Sequence, residues 1–487
     1  MTSDRVGQGP GTTQASGLAE TSTIEHGEIM QRAAEASHSW AATPGYDRAN
    51  VLRAIAEALD RERDDLVEIA DTETWLGATR LTGEVARTTT QLRMFAEVIE
   101  HGAHLARAGV TVPGRTEDET TGPSLRRCQL PLGPVAVFAA SNFPFAFSVA
   151  GGDTASALAA GCPVVVKAHP AHPELSLHTA RLIEDTLSTA GVATGVFALV
   201  SGMEEGARLV RDPVIRAAAF TGSSEGGRAL VDLAAARPDP IPFYGEFGSV
   251  NPVLVLPGAV ADTSRFITDY LDSLTLGGGQ FCTNPGLLIV PRQLDLPAEV
   301  ARQISQRPAA PLLTGGIQAA FTAKVDRLRT TPGVTVHESR APVPAAGFHV
   351  RPVVLTAGGH TAMHDRALME QEVFGPAGVV VEYENADELL ALCAGLQGCL
   401  VTSVHAGSDS ALLREVIREA SRRSGRVVWN SWPTGVVVGT GQHHGGPFPA
   451  TSNPLFTSVG PDAIMRFLRP ITFQNLPVEL LPLEAQR

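Results

Sequence analysis

Beyond residue 133 the chain falls into a two-beat pattern. Short runs of uninterrupted apolar residues alternate with longer stretches whose apolar positions return every three or four residues. The runs are 134–140 (PVAVFAA), 163–167 (PVVVK), 195–200 (GVFALV), 215–220 (IRAAAF) and 251–256 (NPVLVL), with helices expected at 173–190, 204–212 and 224–237. Such runs read as strands apolar on both faces. Alternating with helices, they predict a parallel sheet covered on both sides. A second alternation follows residue 282. It comprises strands at 287–290, 351–355, 377–383, 400–405 and 425–430, and helices near 297–305, 386–396 and 408–422. Upstream, 27–41, 47–70 and 82–101 carry helical periodicity. In 47–70 the stripe is Val51, Leu52, Ile55, Ala58, Leu59, Leu66 and Ile69; in 82–101 it is Leu92, Phe95, Val98 and Ile99. The polar segment 112–124 reads as a connection or exposed hairpin, and 457–477 returns to a strand-like pattern with two prolines.

Composition narrows the class. A chain of 487 residues exceeds one compact core, so two or three domains are expected. The uncharged run 134–152 approaches membrane-spanning length, but Ser141, Asn142 and Pro144 interrupt it, so it reads as a strand, a turn and a helix start. A net charge of −13 excludes a general attraction to nucleic acid or anionic lipid; an anionic substrate would need a local basic group. Five cysteines, at 128, 162, 282, 393 and 399 with no CxxC, argue against a disulfide framework or zinc cluster and for a reducing, cytoplasmic setting. The Gly/Ser/Thr-rich start lacks the pattern of a signal peptide and reads as a disordered tail over 1–23.

Several residues could carry chemistry, each with a plainer alternative. Cys282 lies in GGGQFCTNPG (277–286), a context that suits an accessible nucleophile or an ordinary loop around a small buried side chain. Glu246, in YGEFGSVNP, is a general base in a cleft or a solvated loop carboxylate. Asn142 lies at a strand end before Pro144, which would start a helix; it is a ligand contact at the carboxyl edge of a sheet or a cap. FTGSSEGG (220–227), with Gly222 and Ser223, opens a helix and is either an anion site built of free backbone N–H groups or a simple N-cap. Lys167 ends a strand, where it could meet ribose or phosphate, or only water. The pair His443-His444 has no ligand spacing, and no metal is expected.

Taken together and in order, SNFPF (141–145), VVVKAHP (164–170), FTGSSEGG (220–227), EFGSVNP (246–252), GQFCTNPG (279–286), EVFGP (372–376) and GRVVWNSWPTG (425–435) resemble the aldehyde dehydrogenase superfamily over nearly the whole chain. The stretch from Glu73 (ETWLGATRLTGEVARTTTQLRMFAE) and HHGGPFPATSNPLFTSVG (443–460) are most similar to the bacterial 2,5-dioxopentanoate (α-ketoglutarate semialdehyde) dehydrogenases and related NADP-dependent fatty-aldehyde enzymes. The resemblance implies an α/β fold with a Rossmann-like cofactor domain (24–111 and 132–246), an α/β catalytic domain (247–442) and a small β oligomerisation element (112–131 and 443–487) serving a homodimer or homotetramer. It makes Cys282 the nucleophile, Asn142 an oxyanion donor with the Cys282 amide, and Glu246 the base that activates water against the thioester. Lys167 and Glu372 would hold ribose hydroxyls, Phe374 would lie near the nicotinamide, and Ser223 with Gly222 would face the pyrophosphate.

Two positions depart from the family pattern. Where NAD-preferring relatives place a glutamate three residues after the lysine, this chain has Pro170, and His169 beside it could meet a 2′-phosphate. NADP is therefore expected to serve at least as well as NAD. Phe247 replaces the leucine of the Glu-Leu-Gly motif, an apolar exchange. The branch implies 2,5-dioxopentanoate as substrate and 2-oxoglutarate as product. Broad aliphatic aldehyde oxidation is the alternative, which a wall of Phe143, Phe145 and Phe147 would suit. A CoA-acylating enzyme has less need of Glu246, and an inactive paralogue has no need of Cys282, Glu246 and Asn142 together.

Overall fold

In the computed structural model, residues 18–102, 108–111, 124–407 and 409–482 are described. Period-two burial sets the first layer. Val135, Val137, Val164 and Val166 pack on one side of a five-stranded sheet against Trp40, Leu52, Leu59, Leu92 and Phe95 of the N-terminal helices. Ala136, Phe138 and Val165 pack on the other, against Leu209, Val210 and Ala234. With both faces covered, these strands have no polar face, which explains their uniform hydrophobicity. The strands run parallel in the spatial order Phe197–Val200, Val164–Lys167, Val135–Phe138, Ala217–Thr221, Phe243–Glu246. Chain order moves outward from Val135–Phe138 to one side and then returns to the other. This leaves a crevice at the carboxyl ends of the central strands, the usual place for a ligand in such sheets.

The second sheet has seven strands, ordered Thr335–Glu338, Val353–Gly358, Ala377–Tyr383, Leu287–Pro291, Pro252–Val255, Cys399–His405, Ser424–Trp429. The pairing of the first two is antiparallel and the rest are parallel. Two of the longer helices escaped the periodicity reading. Thr263–Thr275 buries Ile267, Tyr270, Leu271 and Leu274, and Gly315–Arg329 buries Phe321, Val325 and Leu328. Among the described residues no helix is long and apolar enough to cross a membrane.

Four boundaries differ from expectation. The tail read as disordered through residue 23 lies outside the described residues as far as 17, but 18–23 are held. The Thr21 N–H bonds the Ser201 carbonyl at 3.0 Å. Ser22 forms a reciprocal capping box with Glu25 that starts the helix Thr23–Ala42. The helix expected over 47–70 is two, Gly45–Arg61 and Arg63–Thr74, hinged at Glu62. No helix starts at Pro144. Residues 141–151 form tight turns before the helix Gly152–Ala160, because the buried Glu84 carboxylate accepts the N–H groups of Phe145 and Ala146 at 2.9 and 3.0 Å.

The fourth difference concerns the β element. A three-stranded antiparallel sheet joins Ala108–Thr111, Ser124–Pro131 and Leu468–Gln474; of the expected connection 112–124, residues 112–123 lie outside the described residues. Residues 443–467 do not belong to this sheet. Thr451 bridges to Glu246, and Ala463, Ile464 and Phe467 join the core of the first domain. This segment packs against the first domain and sets His444 beside Glu246.

Candidate active site

Cys282 is placed by backbone conformation. Gly277, Gly278 and Gly279 turn the chain out of the preceding helix with φ of +57°, +68° and +70°, a region that costs a side-chain-bearing residue about 1–2 kcal/mol. Space forbids a side chain as well: a Cβ on Gly279 would lie 2.2 Å from the Gly375 carbonyl oxygen, and one on Gly278 2.6 Å from that of Pro311. The glycines therefore make a fixed, tightly packed turn. Two buried amides pin the loop that carries Cys282. Asn251 Nδ2 donates to the carbonyls of Cys282 (2.8 Å) and Asn284 (3.0 Å), and Asn284 Nδ2 donates to those of Gly279 (2.8 Å) and Gly375 (3.1 Å). Asn251→Ala is expected to destabilise the protein by about 2–4 kcal/mol, since it strips buried carbonyls of their donors. A lowered unfolding midpoint together with reduced turnover checks this.

Around the sulfur lies a compact polar cluster. His444 Nε2 is 3.6 Å from Cys282 Sγ and 3.2 Å from Glu246 Oε1. Ser458 Oγ donates to Glu246 Oε2 at 3.2 Å. Burial pushes the Glu246 carboxyl up, but His444, with hydrogen bonds from Cys282 and Ser458, outweighs it and holds the group below the usual carboxylate range. Burial, reinforced by the Glu246 charge, pushes the Cys282 thiol well above the usual thiol range. The pair is thus poised as carboxylate and thiol, with one imidazole nitrogen facing both. Cysteine, histidine and glutamate donor atoms within 4.8 Å of one another could also hold a metal ion, a grouping the sequence reading did not foresee.

Asn142 lies at the same cleft, with its Nδ2 donating to the Gln280 carbonyl at 2.9 Å just before Phe281 and Cys282. The Aldehyde dehydrogenase family model matches residues 11–447.

The chain belongs to the aldehyde dehydrogenase family.

It is an NAD(P)-dependent aldehyde dehydrogenase. It is similar to alpha-ketoglutaric semialdehyde dehydrogenase 2 of Azospirillum brasilense, 43% identical over 96% of this chain and 89% of that one. The alpha-ketoglutaric semialdehyde dehydrogenase of Acinetobacter baylyi is 40% identical over 93% and 87%. The crystal structure of 1-pyrroline-5-carboxylate dehydrogenase from Thermus with bound NAD shares the fold at a TM-score of 0.78 and 20% identity, over 94% of this chain and 86% of that one.

The dehydrogenase's cleft, a cavity of about 370 Å³, brings together most of the residues read from the sequence. Cys282, Glu246, Asn142, His169, Gly222, Ser223, Glu372 and Phe374 all line it. Ser223 is the N-cap of the helix Ser224–Ala235, its Oγ accepting from the Gly226 N–H at 3.3 Å, so the cap and the cleft-facing turn are the same feature. The Gly222 N–H donates to the Glu246 carbonyl, and a Cβ there would lie 2.7 Å from the Phe220 ring. Glu372 Oε1 accepts from the Ser249 N–H at 3.1 Å, and burial raises its carboxyl. Lys167 ends its strand half-buried, outside the residues lining this cavity. His169 lines the cleft as a partly buried imidazole. Burial, with His172 and Lys167 nearby, pulls its imidazole down to about 3, and its Nδ1 accepts from the Ala171 N–H. With Nδ1 accepting, the ring proton lies on Nε2.

Sequence reasoning missed His444 and Ser458, and also Glu84 and the two arginines flanking it in the helix Ala78–His101. In the sequence His444 stands out only as half of a histidine pair considered for metal. The signal that could have found it is its membership of the branch-specific stretch 443–460.

Proposed function

We propose that this dehydrogenase oxidises 2,5-dioxopentanoate to 2-oxoglutarate, as its two relatives at 40% identity or more over at least 87% of their length are named to do. In this reading Cys282 Sγ attacks the aldehyde carbon while the thiol proton passes to the Glu246–His444 pair. The Asn142 amide and the Cys282 N–H stabilise the oxyanion. Bound nicotinamide supplies a hydride acceptor, which leaves a Cys282 thioester. Glu246 then takes a proton from water, and the attacking hydroxide releases the acid. His444 Nε2 faces both charge sites, so it can donate to whichever of carboxylate and sulfur is anionic. The buried, hydrogen-bonded Glu246 favours water over a thiol as acyl acceptor.

The cleft suits a dinucleotide: a helix N-terminus offers N–H groups beside Gly222, where a Cβ would meet the Phe220 ring, and a carboxylate, Glu372, lines the same cavity. Gly222 and Ser223 would hold the pyrophosphate, Glu372 and Lys167 ribose hydroxyls, and Phe374 the nicotinamide side. Because Pro170 supplies no carboxylate to repel a 2′-phosphate, we infer that NADP is accepted at least as well as NAD. The three-stranded sheet is the proposed contact of a homodimer or homotetramer, and the sparse cysteines, with no CxxC, suit the cytoplasm.

A second reading, broad aliphatic aldehyde oxidation, draws on the aromatic wall. Phe143 and Phe147 pack together at 5.5 Å, and Phe143 meets Phe281 at 5.3 Å. Phe145 instead turns into the first domain's core. A kcat/KM series with 2,5-dioxopentanoate, succinic semialdehyde, hexanal and decanal separates the two readings. The keto-aldehyde is expected to lead, with NADP at least equal to NAD. A tenfold preference for decanal, about 1.4 kcal/mol in the transition state, would overturn the substrate, and a strong NAD preference would overturn the cofactor.

A further inference from the structure

A substrate that is an aldehyde at one end and a carboxylate at the other needs a cation beyond the reacting carbon. Arg87, on the helix Ala78–His101, has two buried guanidinium nitrogens, Nε and Nη2, with no hydrogen-bond partner among the described residues. Its guanidinium lies 5.8 Å over the Phe147 ring. That ring is 6.3 Å from the His444 ring, and His444 is 3.6 Å from the Cys282 sulfur. The Arg87 charge is close enough to be felt by Cys282 and Glu246.

Opposite charge reaches Arg87 only at a distance. It lies in the field of the buried carboxylates of Glu84 and Glu246, and Arg80 shares that of Glu84, yet among the described residues no carboxylate forms an ion pair with Arg87 Nε or Nη2. Glu84 spends Oε1 on the backbone of Phe145 and Ala146. Arg80 is partly engaged, its Nη2 donating to the Asn142 carbonyl at 2.6 Å while it stacks over Phe143 and Phe281. Arg426 also neighbours Cys282, but its Nη2 donates to the carbonyls of Pro433 and Gly435. A buried cation with unused donors costs stability unless something else pairs with it.

We propose that Arg87 is the carboxylate anchor of the substrate site, its free Nε–H and Nη2–H forming the fork that receives the far end of a short aldehyde-acid, with Phe143 and Phe147 walling the methylenes between. This rests on the aldehyde dehydrogenase reading of the cleft and narrows the substrate class to ω-carboxy aldehydes.

The test compares succinic semialdehyde with butanal, a pair of equal length that differ in the carboxylate. The ratio of their kcat/KM values cancels any effect of Arg87 on Cys282 itself. In Arg87→Met the ratio is expected to fall at least tenfold, carried mainly by KM for the acid, and inhibition by 2-oxoglutarate to weaken in parallel. Arg87→Lys, which keeps the charge but loses the fork, is expected to give an intermediate fall, and it decides the question if Arg87→Met unfolds. Ratios within twofold of the parent in the folded variants would overturn the proposal. The outcome is independent of which aldehyde ranks first in the wider series, so failure of the anchor and failure of the 2,5-dioxopentanoate reading are separable.

Discussion

Cys282→Ala is expected to lower aldehyde oxidation by about 10⁴-fold or more, the loss that accompanies removal of a nucleophile from a cooperative cluster. No burst of reduced cofactor should form when the variant is mixed with aldehyde and NADP. The fold should survive, because the loop that carries Cys282 is pinned through the backbone by Asn251 and Asn284. A stopped-flow trace beside an unchanged unfolding midpoint checks both halves. Substantial turnover in this variant would remove the thioester pathway altogether.

Glu246→Gln is expected to separate the two half-reactions. Acylation leaves about one equivalent of reduced cofactor per active site. Steady-state turnover then falls by about 10²–10⁴-fold, because water is left without its base. In this variant His444 is left to take the Cys282 proton; a uniform slowing with no burst would make Glu246 the required acceptor in the first step as well. The shifts set the pH dependence. Folding lowers the Glu246 pKa, so its anionic form persists at neutral pH and is lost only as pH falls through the lowered value. The acid limb that Glu246 contributes to kcat therefore lies below the ordinary carboxylate range. His444→Gln is expected to move that limb to higher pH, because the imidazole is among the groups that hold the carboxyl down. Cys282 shifts the other way. Burial keeps its thiol protonated at neutral pH, and the Glu246 charge adds to this. In Glu246→Gln the pH midpoint for alkylation by iodoacetamide should therefore move down, while burial keeps it above that of a free thiol.

Two α/β alternations were legible from periodicity because a doubly covered parallel strand has no polar face to show. The five predicted runs before residue 257 correspond to Val135–Phe138, Val164–Lys167, Phe197–Val200, Ala217–Thr221 and Pro252–Val255. The period could not tell that the last of these crosses into the second sheet, since sheet membership depends on which strand lies alongside. Phe243–Glu246, the edge strand that carries the carboxylate to the cleft, is as short as the others, but Gly245 and Glu246 break its apolar run, so only its end at Glu246 was legible. The turn after Asn142 differs from expectation because proline suggests a helix start, whereas the acceptor that orders the turn, Glu84, lies 61 residues upstream.

Ordered motifs were enough to name the family and to put Cys282, Glu246 and Asn142 in one site. By itself the sequence determined the fold class and the branch and singled out the candidate site residues, because these depend on local patterns that survive reading in one dimension. Tertiary structure alone decided the company those residues keep. It brought His444 from 162 positions away in the chain to the sulfur, pulled the His169 imidazole down through burial, and left Arg87 with unused donors beside the aromatic wall. Each of these is a matter of distance and desolvation between segments remote in sequence, and a linear pattern carries neither.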